Sequence, residues 1–420
     1  MLTGGFNNEQ KFGDTAVPIP VVLARSAAGD VTRLSNPAFD VDYGSDFSFY
    51  HAELNQIVQS VRSTLVGGVR YQVGEFETRN RLDLVPGSSF GLLFPTPAAN
   101  SSFIDQFERV SGYVYFTRAF WDQLYLTGGV SYDRMRYPAN HRMPPIAGAE
   151  SEEDQVSPKA SLVWIPSDRL SVRAMYSRFL GGVRFDQSYG LEPTQLAGFG
   201  QPYRTIIFES IVGSVSEPKY EVAGAGVDLK FKTHTYAGIQ TELLRSEVNS
   251  PVGAFSFPLP ISSSTLARSL DYQERVASLY VQQLLGDEWS AGASYTLRDS
   301  DLHTFYPEIP VTVAAKADKT ERATMHQINA NVLFNHHSGF FSRLDSSWTL
   351  QSNRSYSPDI PGDTVHQLDF SVGYRFPRQI GSILLTVGNL TDQDYKLNPL
   401  NIYTEMPRER VFSARLRLHF

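Results

Sequence analysis

Polar and apolar residues alternate along most of this chain with a period of two. Over residues 411–420, Phe412, Ala414, Leu416, Leu418 and Phe420 share one face of an extended strand, while Val411, Ser413, Arg415, Arg417 and His419 share the other. Residues 64–82 repeat the pattern, with Leu65, Gly67, Val69, Tyr71 and Val73 set against Val66, Gly68, Arg70, Gln72 and Gly74. So do Leu368, Phe370, Val372, Tyr374 and Phe376 against Gln367, Asp369, Ser371, Gly373 and Arg375. A dyad sustained this long predicts strands well beyond the ~5–6 residues usual in globular sheets. One face then suits lipid and the other water, and a soluble sandwich fits less well.

Read in order, the pattern predicts strands at 2–12, 47–59, 64–82, 103–118, 124–137, 155–165, 170–179, 219–231, 236–248, 271–285, 289–302, 323–334 and 340–351, with three more before the C-terminus. Short turns such as Pro166-Ser167-Asp168-Arg169, where Pro suits the second position of a type I turn, alternate with long Pro-containing connections. Sixteen strands, an even number, with short turns on one side and long loops on the other, predict an all-β fold. It is a transmembrane antiparallel up-and-down β-barrel, a single domain over residues 1–420, with residues 2–12 closing against 411–420. Parity puts both termini on the short-turn, periplasmic side. Trp121, Trp164 and Trp289 stand at short turns, as an interfacial belt requires.

Composition narrows the picture. The 420 residues have a mean hydropathy of -0.24 and 41% hydrophobic residues, and no run of ~18 apolar residues occurs, so helical spans are excluded. Aromatic residues reach 12%, enough for girdles at both interfaces. The absence of cysteine excludes disulfides and thiolate metal sites. A net charge of -7 argues against nucleic acid as a partner. Met1 to Phe6 lack a basic and an apolar signal region, so the chain is expected to be the C-terminal part of a longer precursor of the Gram-negative outer membrane.

Two stretches carry a resemblance. Residues 156–178 read VSPKASLVWIPSDRLSVRAMYSR, and residues 387–395 read VGNLTDQDY, followed by Met406-Pro407-Arg408 and the terminal strand. The first resembles the hairpin of TonB-dependent outer-membrane receptors, an SPK strand and a return strand around a P-polar-D turn. The second is similar to that family's C-terminal ending. The resemblance implies a barrel that takes up a ligand bound by its outer loops. It also implies a globular plug domain, an energy-coupling box and 22 strands, none of which is found in these residues. The other reading that suits sixteen strands is an exopolysaccharide or solute conduit, the membrane barrel of a protein with a periplasmic helical-repeat region. The expected partners are outer-membrane lipid, a plug or repeat region encoded upstream, and a small-molecule or polysaccharide ligand.

Two groups of residues could meet a solute. Lys159, Arg173, Arg375, Arg415 and Arg417 fall on the predicted lumen face, as an anion-attracting wall, as a docking surface for an acidic plug, or as charges paired with Asp369, Glu221 and their neighbours. In the longest loop, residues 180–218, Arg184, Tyr189, Phe199, Tyr203 and Arg204 combine rings and guanidinium groups as ligand recognition would need. That loop, with Phe185 and Phe208, exceeds what a hairpin requires and is expected to fold over or into the outer mouth. His336-His337 lies in a short turn with no further spaced ligand, so no metal is expected there. No Ser/His or paired-Asp constellation is aligned by the sequence, so neither an enzyme nor a cofactor is expected.

Overall fold

The computed structural model describes residues 1–140, 142–182, 190–201, 219–357, 359–395 and 409–418. In chain order its strands are β1 (Leu2–Pro18), β2 (Val21–Arg25), β3 (Val31–Ser35), β4 (Ala38–Gln59), β5 (Ser63–Leu84), β6 (Ala99–Phe120), β7 (Leu124–Pro138) and β8 (Glu150–Ser167). There follow β9 (Leu170–Leu180), β10 (Gln195–Leu196), β11 (Phe199–Gly200), β12 (Lys219–Lys230), β13 (Thr235–Asn249), β14 (Val252–Ser256) and β15 (Ser262–Leu266). The last seven are β16 (Ser269–Leu285), β17 (Trp289–Phe305), β18 (Asp318–Asn335), β19 (Phe340–Arg354), β20 (Thr364–Arg375), β21 (Gly381–Gly388) and β22 (Val411–Leu418). Sixteen of them form one antiparallel sheet in strict sequence order, skipping only the short strands of the long loops. That is the up-and-down barrel architecture that the dyad predicts.

The alternation sorts side chains to two sides of the sheet. On β6 the odd positions Phe107, Arg109, Ser111, Tyr113 and Tyr115 are buried, while Ile104, Val110, Val114, Phe116 and Phe120 are exposed. On β4, Phe47, Phe49, His51 and Glu53 are buried whereas Tyr50 and Leu54 are exposed. Exposed apolar residues on one face and buried mixed residues on the other are the inverse of a soluble protein, and fit lipid outside. Trp121, Trp164 and Trp289 are all exposed beside short turns, Trp289 against Phe334 with ring centroids 4.5 Å apart.

Several strands begin closer to the long loops than expected. β4 starts at Ala38 and pairs with β5 as far as Phe39↔Leu84. Its outward positions there are Asp40, Asp42 and Asp46, which hide the lipid-type alternation, while Phe39, Val41 and Tyr43 keep the inner face apolar. The strand therefore rises above the apolar band into water.

The long-loop ends converge. The connection between β1 and β4 and the connection between β13 and β16 make a four-stranded sheet in the order β15-β14-β2-β3. Its central pairing is parallel, with the Phe255 amide donating to Pro20 O at 2.8 Å and that of Phe257 to Val22 O at 3.0 Å. In a flat sheet β4 and β13 would stand roughly 34 Å apart, given ~4.8 Å between neighbouring strands. Their loops meet because the main sheet curls round. Val31 donates to Glu308 O at 2.7 Å and Gly253 to Met143 O at 3.0 Å, so two further long loops join this lid. Val22, Val31, Val252, Ala254, Leu266 and Ile309 form its apolar centre. The prolines at 18, 20, 258 and 260 flank these strands, and from sequence they read as loop.

At the two edges, among the described residues, β1 hydrogen-bonds only to β4 and β22 only to β21. The pairing of residues 2–12 with 411–420 is not among those formed, and every residue of β22 is exposed. The strand count thus agrees with the sequence, and the closing pair is a difference from it.

The assignment of sides predicts the effect of a buried charge in lipid. Val114 faces outward opposite Val130, about midway along the apolar band. Val114→Arg is expected to destabilise the barrel by ~2–4 kcal/mol in refolding titrations from lipid vesicles. A neutral result would mean that the inside and outside faces are exchanged.

Candidate functional site

The longest loop leaves β9, and its described part, residues 190–201, lies against the inner wall. Ala197 and Gly198 have φ of 50° and 83°, the pair of left-handed residues that a two-residue hairpin turn needs, and they join β10 to β11. Phe199 at the return is 2% exposed. Its ring lies on the bare backbone of Gly224 in β12, where a Cβ would stand only 2.9 Å from the ring edge. The Arg173 guanidinium covers the ring at 5.1 Å and donates to Ala197 O at 3.1 Å. Asp228 fixes that guanidinium with contacts of 2.7 and 3.3 Å, and Tyr280 donates to Asp228 at 2.8 Å.

The rest of the segment is latched by polar groups. Glu53 accepts from the Leu191 amide at 2.9 Å and from Tyr113 Oη at 2.7 Å, and Asn55 donates to that tyrosine at 2.8 Å. Glu192 accepts from Tyr115 Oη at 2.5 Å and lies 3.8 Å from Lys159 Nζ. Lys159 also donates to Gln201 Oε1 at 3.1 Å and to Arg178 O at 2.9 Å, while Gln201 Nε2 donates to Tyr115 Oη at 3.1 Å. Both ends of the segment therefore share Lys159 and Tyr115. Removing one partner of a buried pair strands the other charge, at a typical 3–5 kcal/mol.

Beside the latch stands a second charged group. Asp133 accepts from Arg109 at 2.9 Å and from Ser111 at 2.5 Å, with Arg70 3.7 Å away. Arg109 donates onward to Leu180 O at 2.9 Å, which holds the start of the long loop. His51 is buried with its Nε2 3.6 Å from Glu53, and among the described residues neither ring nitrogen has a hydrogen-bond partner.

The expected residues divide as follows. Lys159 and Arg173 stand on the buried side of the sheet, each paired, with Glu192 and Asp228 instead of Asp369 and Glu221. Glu221 faces outward and accepts from Tyr176 at 3.0 Å, so it is no lumen partner. Arg375 sits at the short-turn end, donating to Asn335 at 3.0 Å and lying 4.3 Å over the Phe341 ring. Arg417 lies in the same cross-strand row as Arg375, both opposite Ser382, and Arg415 stands two positions further along, opposite Leu384. Phe199 is buried inside and not presented to the exterior. Arg184, Tyr189, Tyr203 and Arg204 lie outside the described residues. Glu53, Tyr113, Tyr115, Glu192, Gln201 and Asp133 escaped the sequence reading. For Glu53, Tyr113, Tyr115 and Asp133 the only signal was a charged or phenolic residue on the inner phase of a strand, while Glu192 and Gln201 come from the long loop and left none.

A curled up-and-down sheet with apolar residues outside, a polar interior and long loops folded inward is the architecture of an outer-membrane β-barrel. Residues 5–209 match the family described as "TonB dependent receptor-like, beta-barrel". The fold is similar to that of the copper transporter OprC, with a TM-score of 0.55, 13% identity, and 91% of this chain and 58% of that one covered. It is similar also to the FrpB iron transporter from Neisseria meningitidis, with a TM-score of 0.56, 11% identity, and 99% and 62% covered. The ferric yersiniabactin uptake receptor FyuA from Yersinia pestis gives a TM-score of 0.53 and 14% identity, with 100% and 58% covered. The chain thus spans about three-fifths of the length of these structures. No curated protein sequence matches it.

The seat of Phe199 yields a local prediction. Phe199→Ala leaves the hairpin without its apolar anchor, a change of about 3–5 kcal/mol in well-packed interiors. Hydrogen exchange should then accelerate at residues 195–201 while β6, β8 and β9 stay protected. Equal protection in both proteins would show that the polar latch alone holds the segment.

Proposed function

We propose that this chain is the transport barrel of an outer-membrane receptor that captures a ligand with its long loops and passes it inward, with both termini on the periplasmic side. The observation that carries the reading is the segment 190–201, seated inside the wall by Phe199 and by the Glu53, Lys159 and Tyr115 latch. A segment so placed narrows the passage, and its polar attachments can exchange with water or with a solute. The lid made by the loops around β2, β3, β14 and β15 supplies the outer side of the same passage. The ligand class best supported is a metal chelate, because the similar structures are named as copper, iron and ferric-chelate transporters. A plug-type domain is the partner that the family match favours over a helical-repeat region. Catalysis has no place in this reading.

The test is binding by the refolded chain in detergent micelles, read by isothermal titration with ferric catecholate, ferric hydroxamate, ferric citrate and cupric chelates. One of these is expected to bind saturably, and replacing residues 190–201 by a glycine-serine linker is expected to change its affinity at least tenfold. No binding across the set, with the barrel folded, would overturn the receptor reading. Binding unaffected by the replacement would remove the segment from the ligand's path.

A further inference from the structure

The short-turn rim carries a cluster that the transport reading does not use. Pairing of β17 with β18, from Trp289↔Phe334 onward, sets the turn before β17 against the turn after β18, and the Asn335 amide donates to Glu288 O at 2.7 Å. Glu288 is thereby brought to His336 and His337, 48 and 49 positions further along the chain. Glu288 Oε1 lies 3.4 Å from His337 Nδ1 and 3.8 Å from His336 Nε2, and the two imidazole rings are 3.9 Å apart. The tight turn that presents both imidazoles closes through the Gly339 amide on His336 O, with Gly339 at φ 96°.

We propose that Glu288, His336 and His337 form a binding site for a divalent transition metal of the Zn²⁺ class at the short-turn rim. Tetrahedral ligands at ~2.0–2.1 Å from Zn²⁺ stand about 3.3–3.4 Å from one another, close to the spacings found before any ion is bound. The three potential ligand atoms already lie within 4.8 Å of one another. Two imidazoles and one carboxylate are a donor set that Zn²⁺ accepts and that Mg²⁺ and Ca²⁺, which prefer all-oxygen shells, do not. His336 Nδ1 is 2.8 Å from Ser338 Oγ. With its proton on Nδ1 and donated to that hydroxyl, the ring turns the Nε2 lone pair toward Glu288, the outer-shell arrangement usual for metal-bound histidine. In the other tautomer the Ser338 amide donates to Nδ1 at 3.2 Å, so binding the ion selects one tautomer of His336. The side chain of His337 is 83% exposed, which leaves the fourth position open to water and gives the ion an entry path. The sequence shows only the adjacent pair of histidines, because the third ligand comes from another turn. The proposal does not depend on the receptor reading.

Titration of the refolded chain with ZnCl₂ in micelles tests it. One Zn²⁺ per chain is expected, with no heat from MgCl₂. His336→Ala, His337→Ala and Glu288→Gln should each weaken binding at least tenfold, and Ser338→Ala by a smaller factor. All four lie on exposed turns, so folding is expected to survive, and the heat-dependent gel mobility of each barrel verifies it. No saturable Zn²⁺ binding by the wild type would overturn the proposal. So would binding that persists in the double variant lacking both histidines, since another of the nine histidines would then hold the ion.

Discussion

The constraint from which everything else follows is that lipid offers no hydrogen-bond partner to a peptide group. An unpaired N–H or C=O in the hydrocarbon layer costs several kcal/mol, so a chain without spanning helices crosses only as strands that pair along their full length. The long registers meet this demand, for example from Phe39↔Leu84 to Gln59↔Thr64 between β4 and β5. Strict neighbour pairing in turn forces the alternation of short turns and long loops. Only connections on the watery sides can vary in length.

Once the outward face is given to lipid, the inner face has more surface than its own side chains can cover, and the loops resolve this. The hairpin of β10 and β11 fills the wall beside β6, β9 and β12, and the small sheet of β2, β3, β14 and β15 covers the long-loop side. Ordering such loops costs on the order of 1–2 kcal/mol per residue, which exposed loops do not recover. Here Phe199, Leu196 and Phe255 are buried and offset the loss. Glycine at 224 is part of the same solution, because the ring of Phe199 occupies the place of its side chain.

Much of this architecture was legible, because period two is the most direct imprint of a strand on sequence. Strand number and the phase of Phe370 follow from that period, and the tryptophans stand at the short turns that it delimits. The strand extensions at Asp40 and Asp42 were not legible, because outward residues above the membrane are polar and break the lipid signature. Nor were the partners of Lys159 and Arg173. A period tells which way a side chain points, whereas Glu192 arrives from a loop and Asp228 from a neighbouring strand whose register depends on all the others. Glu288 beside His336 is the same case at a turn.

The chemistry of the latch bears on whether such a segment can move. A wholly apolar anchorage would be hard to release, since each buried side chain of the Leu or Phe kind holds about 1.5–3 kcal/mol. Among the described residues, the large buried apolar anchors of segment 190–201 are Leu196 and Phe199, and its polar attachments include hydrogen bonds to Glu53, Arg173, Lys159, Tyr115 and Ser177. Exchanging such bonds for bonds to water changes stability by only ~0.5–1.5 kcal/mol each. The desolvated charges are the exception, because Lys159 and Glu192 regain full hydration when they part, which lowers the net cost of opening. A wall-side element held this way is ordered at rest yet separated from release by a small number of exchangeable contacts.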